Sequence, residues 1–327
     1  MPEVNGSSPS ASEFDAVVIG SGFAGLYMLY LLRKNGFKVR EFEAGSGVGG
    51  TWYWNRYPGA RCDSPSVHYS YSFSPELEQE WEWTEKYPRQ PEILRYLNHV
   101  ADRFDLRRDI QLETRVTSAT YSETTNRWLI ETDKGDRVAA KYCITAVGCL
   151  SAPRHKVGVI GTGSTGIQLI PQIARQAAHL TVFQRTPNYS LPARNRPLSP
   201  DEQAQFKATY PQIRQANRES FGGFTVDPVG KPASVFSLTE EERQQKFEQG
   251  WERGGQTMMA SFTDLTASLE GNKYAADFVR SKIAEIVKDP EIARMLMPDD
   301  HPLGSKRIPI DTEYYETYNR DNISLVD

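Results

Sequence analysis

Two glycine runs are the parts of this sequence whose residue types and spacing could do chemistry. Gly20-Ser21-Gly22-Phe23-Ala24-Gly25 and Gly161-Thr162-Gly163-Ser164-Thr165-Gly166 both read G-x-G-x-x-G. In such a run the first glycine permits a tight turn and the second lets backbone approach a pyrophosphate. The third lets a helix pack closely on a strand. Amides at the start of that helix then meet phosphate charge. Glu43 stands 18 residues after Gly25, where an acidic side chain accepts hydrogen bonds from a ribose diol. The corresponding position 19 residues after Gly166 is Arg185, followed by Thr186. A cation there accommodates the 2′-phosphate of NADP, which a carboxylate would repel.

Two dinucleotide sites in one chain imply an electron relay, in which a nicotinamide delivers hydride to a flavin. Dithiol reduction by such a relay needs a cysteine pair. Cys62, Cys143 and Cys149 offer no Cys-x-x-Cys spacing, so oxygen activation is favoured by elimination.

The elements that must carry these turns are legible as periodicity. Residues 14–19 are a short apolar run bounded by glycine, the pattern of a buried parallel strand. A helix over residues 23–34 ends at Asn35-Gly36, and residues 38–42 give the second strand. Residues 49–73 are aromatic and glycine-rich without a period, which predicts irregular structure. Helical spacing returns over 90–104, followed by β-like stretches at 111–121, 127–132 and 137–146. A second βαβ unit is expected from a strand at 157–160, a helix at 163–176 and a strand at 180–183. From about 199 to 297 the chain turns charged and helical, with 282–287 and 290–296 the clearest helices.

The fold class expected is α/β: two Rossmann-like dinucleotide-binding domains, for FAD and NADP, with a helical insertion. The boundaries read as a disordered tail at 1–13, an FAD-binding domain at 14–153, an NADP-binding domain at 154–198 with 297–327, and the insertion at 199–296. A formal net charge of −4 gives no reason to expect nucleic acid or an anionic membrane as partner. No apolar run reaches the roughly 18 residues of a membrane span. The polar, serine-rich start lacks a signal-peptide core, and the odd cysteine count suits a reduced, cytoplasmic protein. No metal site is read, and nothing bears on oligomeric state.

One segment is far more specific. Gly49-Gly50-Thr51-Trp52-Tyr53-Trp54-Asn55-Arg56-Tyr57-Pro58-Gly59-Ala60-Arg61-Cys62-Asp63 resembles the Baeyer–Villiger monooxygenase family, in particular its phenylacetone and cyclohexanone monooxygenase branches. Residues 90–96, 157–164, 182–187, Lys306-Arg307 and 318–322 resemble it too, so the likeness covers nearly all of the chain after residue 13. The resemblance implies a role for each matching residue. Gly20, Gly22, Phe23, Ala24, Gly25, Glu43, Thr51, Trp52, Asp63, Tyr69 and Val116 would surround FAD. Gly161, Thr162, Gly163, Ser164, Thr165, Gly166, Ile167, Arg185, Thr186 and Lys306 would hold NADPH, with Lys306 a second cation at the 2′-phosphate. Arg307 would be the catalytic arginine at the flavin's reacting face, oriented by Asp63. The implied reaction inserts one oxygen atom of O2 beside a ketone carbonyl through a C4a-peroxyflavin, giving an ester or lactone. A fixed guanidinium suits it, because it stabilises an anionic oxygen and keeps its charge at any working pH.

The chain also departs from the family. The motif F-x-G-x-x-x-H-T-x-x-W-P expected before the second glycine run is missing between Pro153 and Lys156, and lone His155 is no substitute. The chain ends at Asp327, before the family's usual C-terminal part, which reads as a truncation. Two alternatives therefore stay open: an N- or S-oxygenating flavin monooxygenase, or an inactive dinucleotide-binding fragment.

Overall fold

In the computed structural model, which describes residues 12–148, 159–220 and 222–326, contacts divide the chain into two units. The first is Met1–Arg56 with Gln90–Arg154, the second Tyr57–Arg89 with His155–Asp327.

The first unit is built on a six-stranded sheet. Its strands are β1 (Ser12–Ile19), β2 (Val39–Phe42), β3 (Ile110–Gln111), β4 (Val116–Ser122), β5 (Arg127–Thr132) and β6 (Arg137–Thr145). Their order is β3-β2-β1-β6-β5-β4, parallel from β3 to β6 and antiparallel through β5 and β4. Ala16, Val17 and Val18 of β1 are fully buried, as a central parallel strand requires. Ser12 and Glu13, read from sequence as the end of a tail, instead extend β1 by pairing with Val138 and Ala139 of β6. Residues 1–11 of that expected tail lie outside the described residues, as do the missing-motif junction at 151–156 and His155.

The helix Phe23–Lys34 buries Leu26 and Leu29, carries Arg33 and Lys34 in its last turn, and is followed by Gly36 with positive φ. These are the features that end a helix favourably. The helix Gln90–Arg103 buries Ile93, Leu97, Val100 and Ala101 along one face. Within the stretch expected to be irregular, Thr51–Trp54 forms a short helix.

The second unit holds two small parallel sheets. Its strands are β7 (Val159–Ile160), β8 (Leu180–Phe183), β9 (Leu191–Pro192), β10 (Ile310–Asp311) and β11 (Ile323–Val326). They pair as β11-β8-β7 and as β10-β9. The helix Ser164–Ala174 joins β7 to β8. The chain between β9 and β10 is largely helical. Pro200–Glu219 and Glu240–Arg253 each start at a reciprocal capping box, Ser199 with Glu202 and Thr239 with Glu242. Phe247, Trp251, Phe262 and Phe278 from this helical part share one core with Ile167, Ile170, Val182 and Leu325. Among the described residues no helix is long and apolar enough to cross a membrane.

The sequence reading put all of residues 14–153 together, but Tyr57–Arg89 groups with the second unit. Polar ties to distant residues explain the difference. The Tyr57 hydroxyl and Arg61 amide both donate to Gln168 Oε1, at 3.0 and 3.3 Å. Arg214 pairs with Glu78 at 2.7 Å, and Asn195 Nδ2 donates to Glu85 Oε2. None of these partners has a periodic signature.

A buried acid in the second unit gives a test of this core. Asp311 accepts from Ser190 Oγ at 2.6 Å and from the Tyr314 amide at 3.2 Å. Burial pushes its carboxyl up to about 6, so the folded state holds a proton that the unfolded chain releases. Stability is then greatest below the unfolded value, falls between about pH 4 and 6 by about 3 kcal/mol, and levels off above. Asp311→Asn is expected to remove that fall in urea unfolding measured across the window; parallel profiles would refute it.

Candidate functional site

In the first unit β1 delivers the chain into the glycine turn, which the Gly20 amide ties to β2 through Phe42 O at 2.8 Å. A Cβ on Gly25 would stand 1.8 Å from Gly20 O, so only glycine lets the helix begin this close to the strand. The helix starts at Gly22, with no side chain capping its first amides. Amides at a helix start that no side chain caps are what a phosphate needs. The Gly49 amide donates to Ser21 O at 2.8 Å, and a Cβ on Gly22 would meet Gly50 Cα at 3.4 Å. This contact brings Thr51 and Trp52 against the turn; Trp52 is buried, and its carbonyl accepts from Gln90 Nε2.

Glu43 is aimed at the same place. Its Oε2 accepts from the Ser21 amide at 2.8 Å and its Oε1 from the Gly45 amide at 2.7 Å. The carboxylate therefore braces the turn, and each oxygen keeps acceptor capacity for a ribose hydroxyl. Val116 opens β4 and packs against the cluster of Val17 and Phe42.

The second glycine turn repeats the plan. A Cβ on Gly166 would stand 2.3 Å from Gly161 O, and the helix Ser164–Ala174 starts at Gly163 without a side-chain cap. The Gly161 amide donates to Phe183 O at 2.7 Å, and Ile167 is fully buried beneath. Thr162 Oγ1 donates to Thr186 O at 3.2 Å, and Asn188 Nδ2 donates to Arg307 O at 3.1 Å. These two bonds tie the glycine turn, the end of β8 and the Lys306-Arg307 segment to one another. Arg185 is exposed just past β8, and exposed Lys306 lies 3.9 Å from Asp300.

Asp63 and Arg307, 244 residues apart in sequence, meet within the second unit. Arg307 Nη2 donates to Oδ1 at 2.7 Å and to Oδ2 at 2.6 Å. The aspartate side chain is 17% exposed, whereas that of Arg307 is 68% exposed and presents most of its guanidinium outward. Gln168, in the helix after the second glycine turn, fixes the approach to Asp63: besides accepting from Tyr57 and Arg61, it donates to Arg61 O at 3.3 Å. Sequence reasoning missed Gln168; its only signal is a polar residue inside an apolar helix.

Asp63 and Tyr69 were expected around the first nucleotide, yet both belong to the second unit, where Tyr69 sits in a turn whose amide donates to Pro65 O and Ser66 O. Cys62, beside Asp63, is buried, and burial pushes its thiol up to about 12. A thiol kept protonated is a poor redox partner.

A family profile described as an NAD(P)-binding Rossmann-like domain matches residues 18–82. A Baeyer–Villiger monooxygenase of Pseudooceanicola batsensis is 44% identical over 97% of this chain and 63% of its own length. A phenazine N-monooxygenase of Lysobacter antibioticus is 44% identical over 96% and 63%. Among solved structures, an open form of cyclohexanone monooxygenase is 41% identical over 97% of this chain and 67% of that one, with TM-score 0.89. A complex of OTEMO with FAD and NADP is 40% identical over 97% and 66%, with TM-score 0.91. The chain thus spans somewhat less than two thirds of the length of these curated relatives. With the two glycine turns built alike and the distinctive segment 49–63 leading into the Asp63–Arg307 pair, this likeness means that the chain belongs to the Baeyer–Villiger monooxygenase family.

Proposed function

We propose that the first glycine turn binds FAD, that the second binds NADPH, and that the protein inserts one oxygen atom of O2 beside a ketone carbonyl to give an ester or lactone. The observation that carries this reading is the Asp63–Arg307 pair, with an outward guanidinium anchored on both aspartate oxygens. Both turns suit the groups assigned to them: Gly25 and Gly166 leave no room for a Cβ, and both helix starts are uncapped by side chains. In this reading residues 14–56 and 90–148 form most of the FAD-binding domain, and the sheet β11-β8-β7 with its helix forms the NADP-binding domain.

A flavin reduced by a nicotinamide supplies activated oxygen when bound. The protein's part is electrostatic. Glu43 holds a ribose while bracing the turn above it. Arg307 stabilises the negative charge that develops on the ketone oxygen during attack, and Asp63 fixes where that charge is presented. Arg185 and Lys306 supply the cations for the 2′-phosphate of NADPH.

The test is oxygen-dependent NADPH consumption by the FAD-loaded protein, with ketone, amine and sulfide substrates compared by product. Ester or lactone from the ketone supports the proposal, and oxidation of amines alone would end it. That second outcome is the rival reading, favoured by the likeness to a phenazine N-monooxygenase.

The cofactor preference has its own test. Loss of charge-assisted bonds to phosphate predicts that Arg185→Ala raises KM for NADPH about 10- to 100-fold and leaves KM for NADH nearly unchanged. Equal effects on the two would remove Arg185 from the 2′-phosphate site.

A further inference from the structure

Beneath the first glycine turn lies an acid that the proposed chemistry does not use. Glu41 of β2 is 0% exposed, and both of its carboxylate oxygens lack a hydrogen-bond partner. The buried Ser21 hydroxyl lies beside it, too poorly placed to close a regular hydrogen bond, and as a donor it only partly offsets the effect of burial on Glu41. Glu41 Oε1 stands 3.3 Å from where a Cβ on Gly25 would be, the same point that Gly20 O approaches to 1.8 Å. The carboxyl group therefore sits directly behind the start of the phosphate-facing helix. Two residues on, Glu43 holds the Ser21 and Gly45 amides.

Among the described residues no cation acts on Glu41. Its register neighbours are Val18 of β1 and Ile110 of β3. The basic residues of the helix Phe23–Lys34 lie in its last turn, where Arg33 pairs with Asp109 at 3.2 Å. Asp15, midway along β1, is engaged with Lys141 at 3.3 Å. The charged group acting on Glu41 is Glu43, a second anion. An ionised carboxylate without partner in such a place is costly, and a neutral acid is not.

We propose that Glu41 is a positioning residue of the first nucleotide site that works as a neutral acid, and that its ionisation weakens the binding of a dinucleotide pyrophosphate above it. The proposal rests on the reading of that turn as the FAD site. Ionised Glu41 would set a negative charge behind the helix start, opposing both the phosphates and the carboxylate of Glu43. Burial first, and the Glu43 charge with it, push Glu41 up to about 8, which places the transition in an accessible range. FAD binding then favours the protonated form, so affinity is full below about pH 8 and declines as pH rises through it.

The experiment measures FAD affinity by quenching of flavin fluorescence from pH 6.5 to 9.5, with apo melting temperature followed over the same range. It compares the full chain with Glu41→Gln and, as an apolar second variant, Glu41→Val. The dissociation constant of the unaltered protein is expected to rise about tenfold or more across the range, while both variants stay nearly flat. The variants should also melt higher than the unaltered protein. Parallel pH profiles in all three proteins, or variants that melt lower at every pH, would overturn the role of Glu41. No flavin binding by any of them at any pH would instead sink the nucleotide reading, and the melting comparison would still decide whether Glu41 is carried as a neutral acid.

Discussion

Arg307→Ala is expected to lower ketone oxygenation by about 10²- to 10³-fold while FAD remains bound, the scale of loss seen when one preorganised stabiliser of a developing anion is removed. A merely structural ion pair predicts something quite different. With Arg307 68% exposed, the pair with Asp63 stabilises the fold by at most about 1 kcal/mol, so its loss should shift the melting temperature by only a few degrees. A large fall in product with little change in melting would assign Arg307 to the chemistry. Retention of full ester formation would end that assignment. Asp63→Ala keeps the guanidinium but frees its position, and a smaller loss is expected. Arg307→Lys keeps a positive charge but not the planar fork, so it should rescue only part of the activity.

The local parts of this fold were legible because local rules decide them. The helix Phe23–Lys34 and the strand Leu180–Phe183 occur at the bounds read from sequence, each closed off by a turn or glycine signal. The helix Pro290–Leu296 does so because Asp289 accepts from its first amides and Pro290 fixes its first turn. Longer helices were harder to read. Pro200–Glu219 buries only Tyr210 and Arg214, so its apolar period is faint, and its capping box is the stronger signal. The pairing of β6 beside β1 joins residues more than 120 apart and has no trace in any short window.

The site divides in the same way. Of the candidate residues, both glycine turns, Glu43 and Arg185 were proposed from spacing alone, whereas the Asp63–Arg307 pair was reachable only through resemblance to a family. Glu41 had a faint signal of its own: it shares strand parity with buried Val39 and with Glu43, which turns toward the glycine loop. A charged residue at an inward position is the kind of conflict between pattern and chemistry that marks a site.

Gly25→Ala is expected to damage the first unit more than any other single methyl added at its glycine turn. The new Cβ would stand 1.8 Å from Gly20 O, a backbone atom that cannot swing aside as a side-chain tip can. Strand and helix must separate, and with them the turn that Glu43 braces through Ser21. Overpacking of this kind costs about 1–3 kcal/mol or more, equivalent to a fall of roughly 1.5–4.5 °C or more in melting temperature for a chain of this size. Under the proposed function FAD affinity should fall as well, because the helix amides would no longer point where the phosphates would lie. Gly22→Ala is the internal comparison: its Cβ would meet Gly50 Cα at 3.4 Å, an ordinary van der Waals contact, so the fold should tolerate it far better. Calorimetry on the two variants decides the matter. Equal melting temperatures would mean that close packing of helix on strand does not hold this turn, and the phosphate site built on it would lose its physical basis.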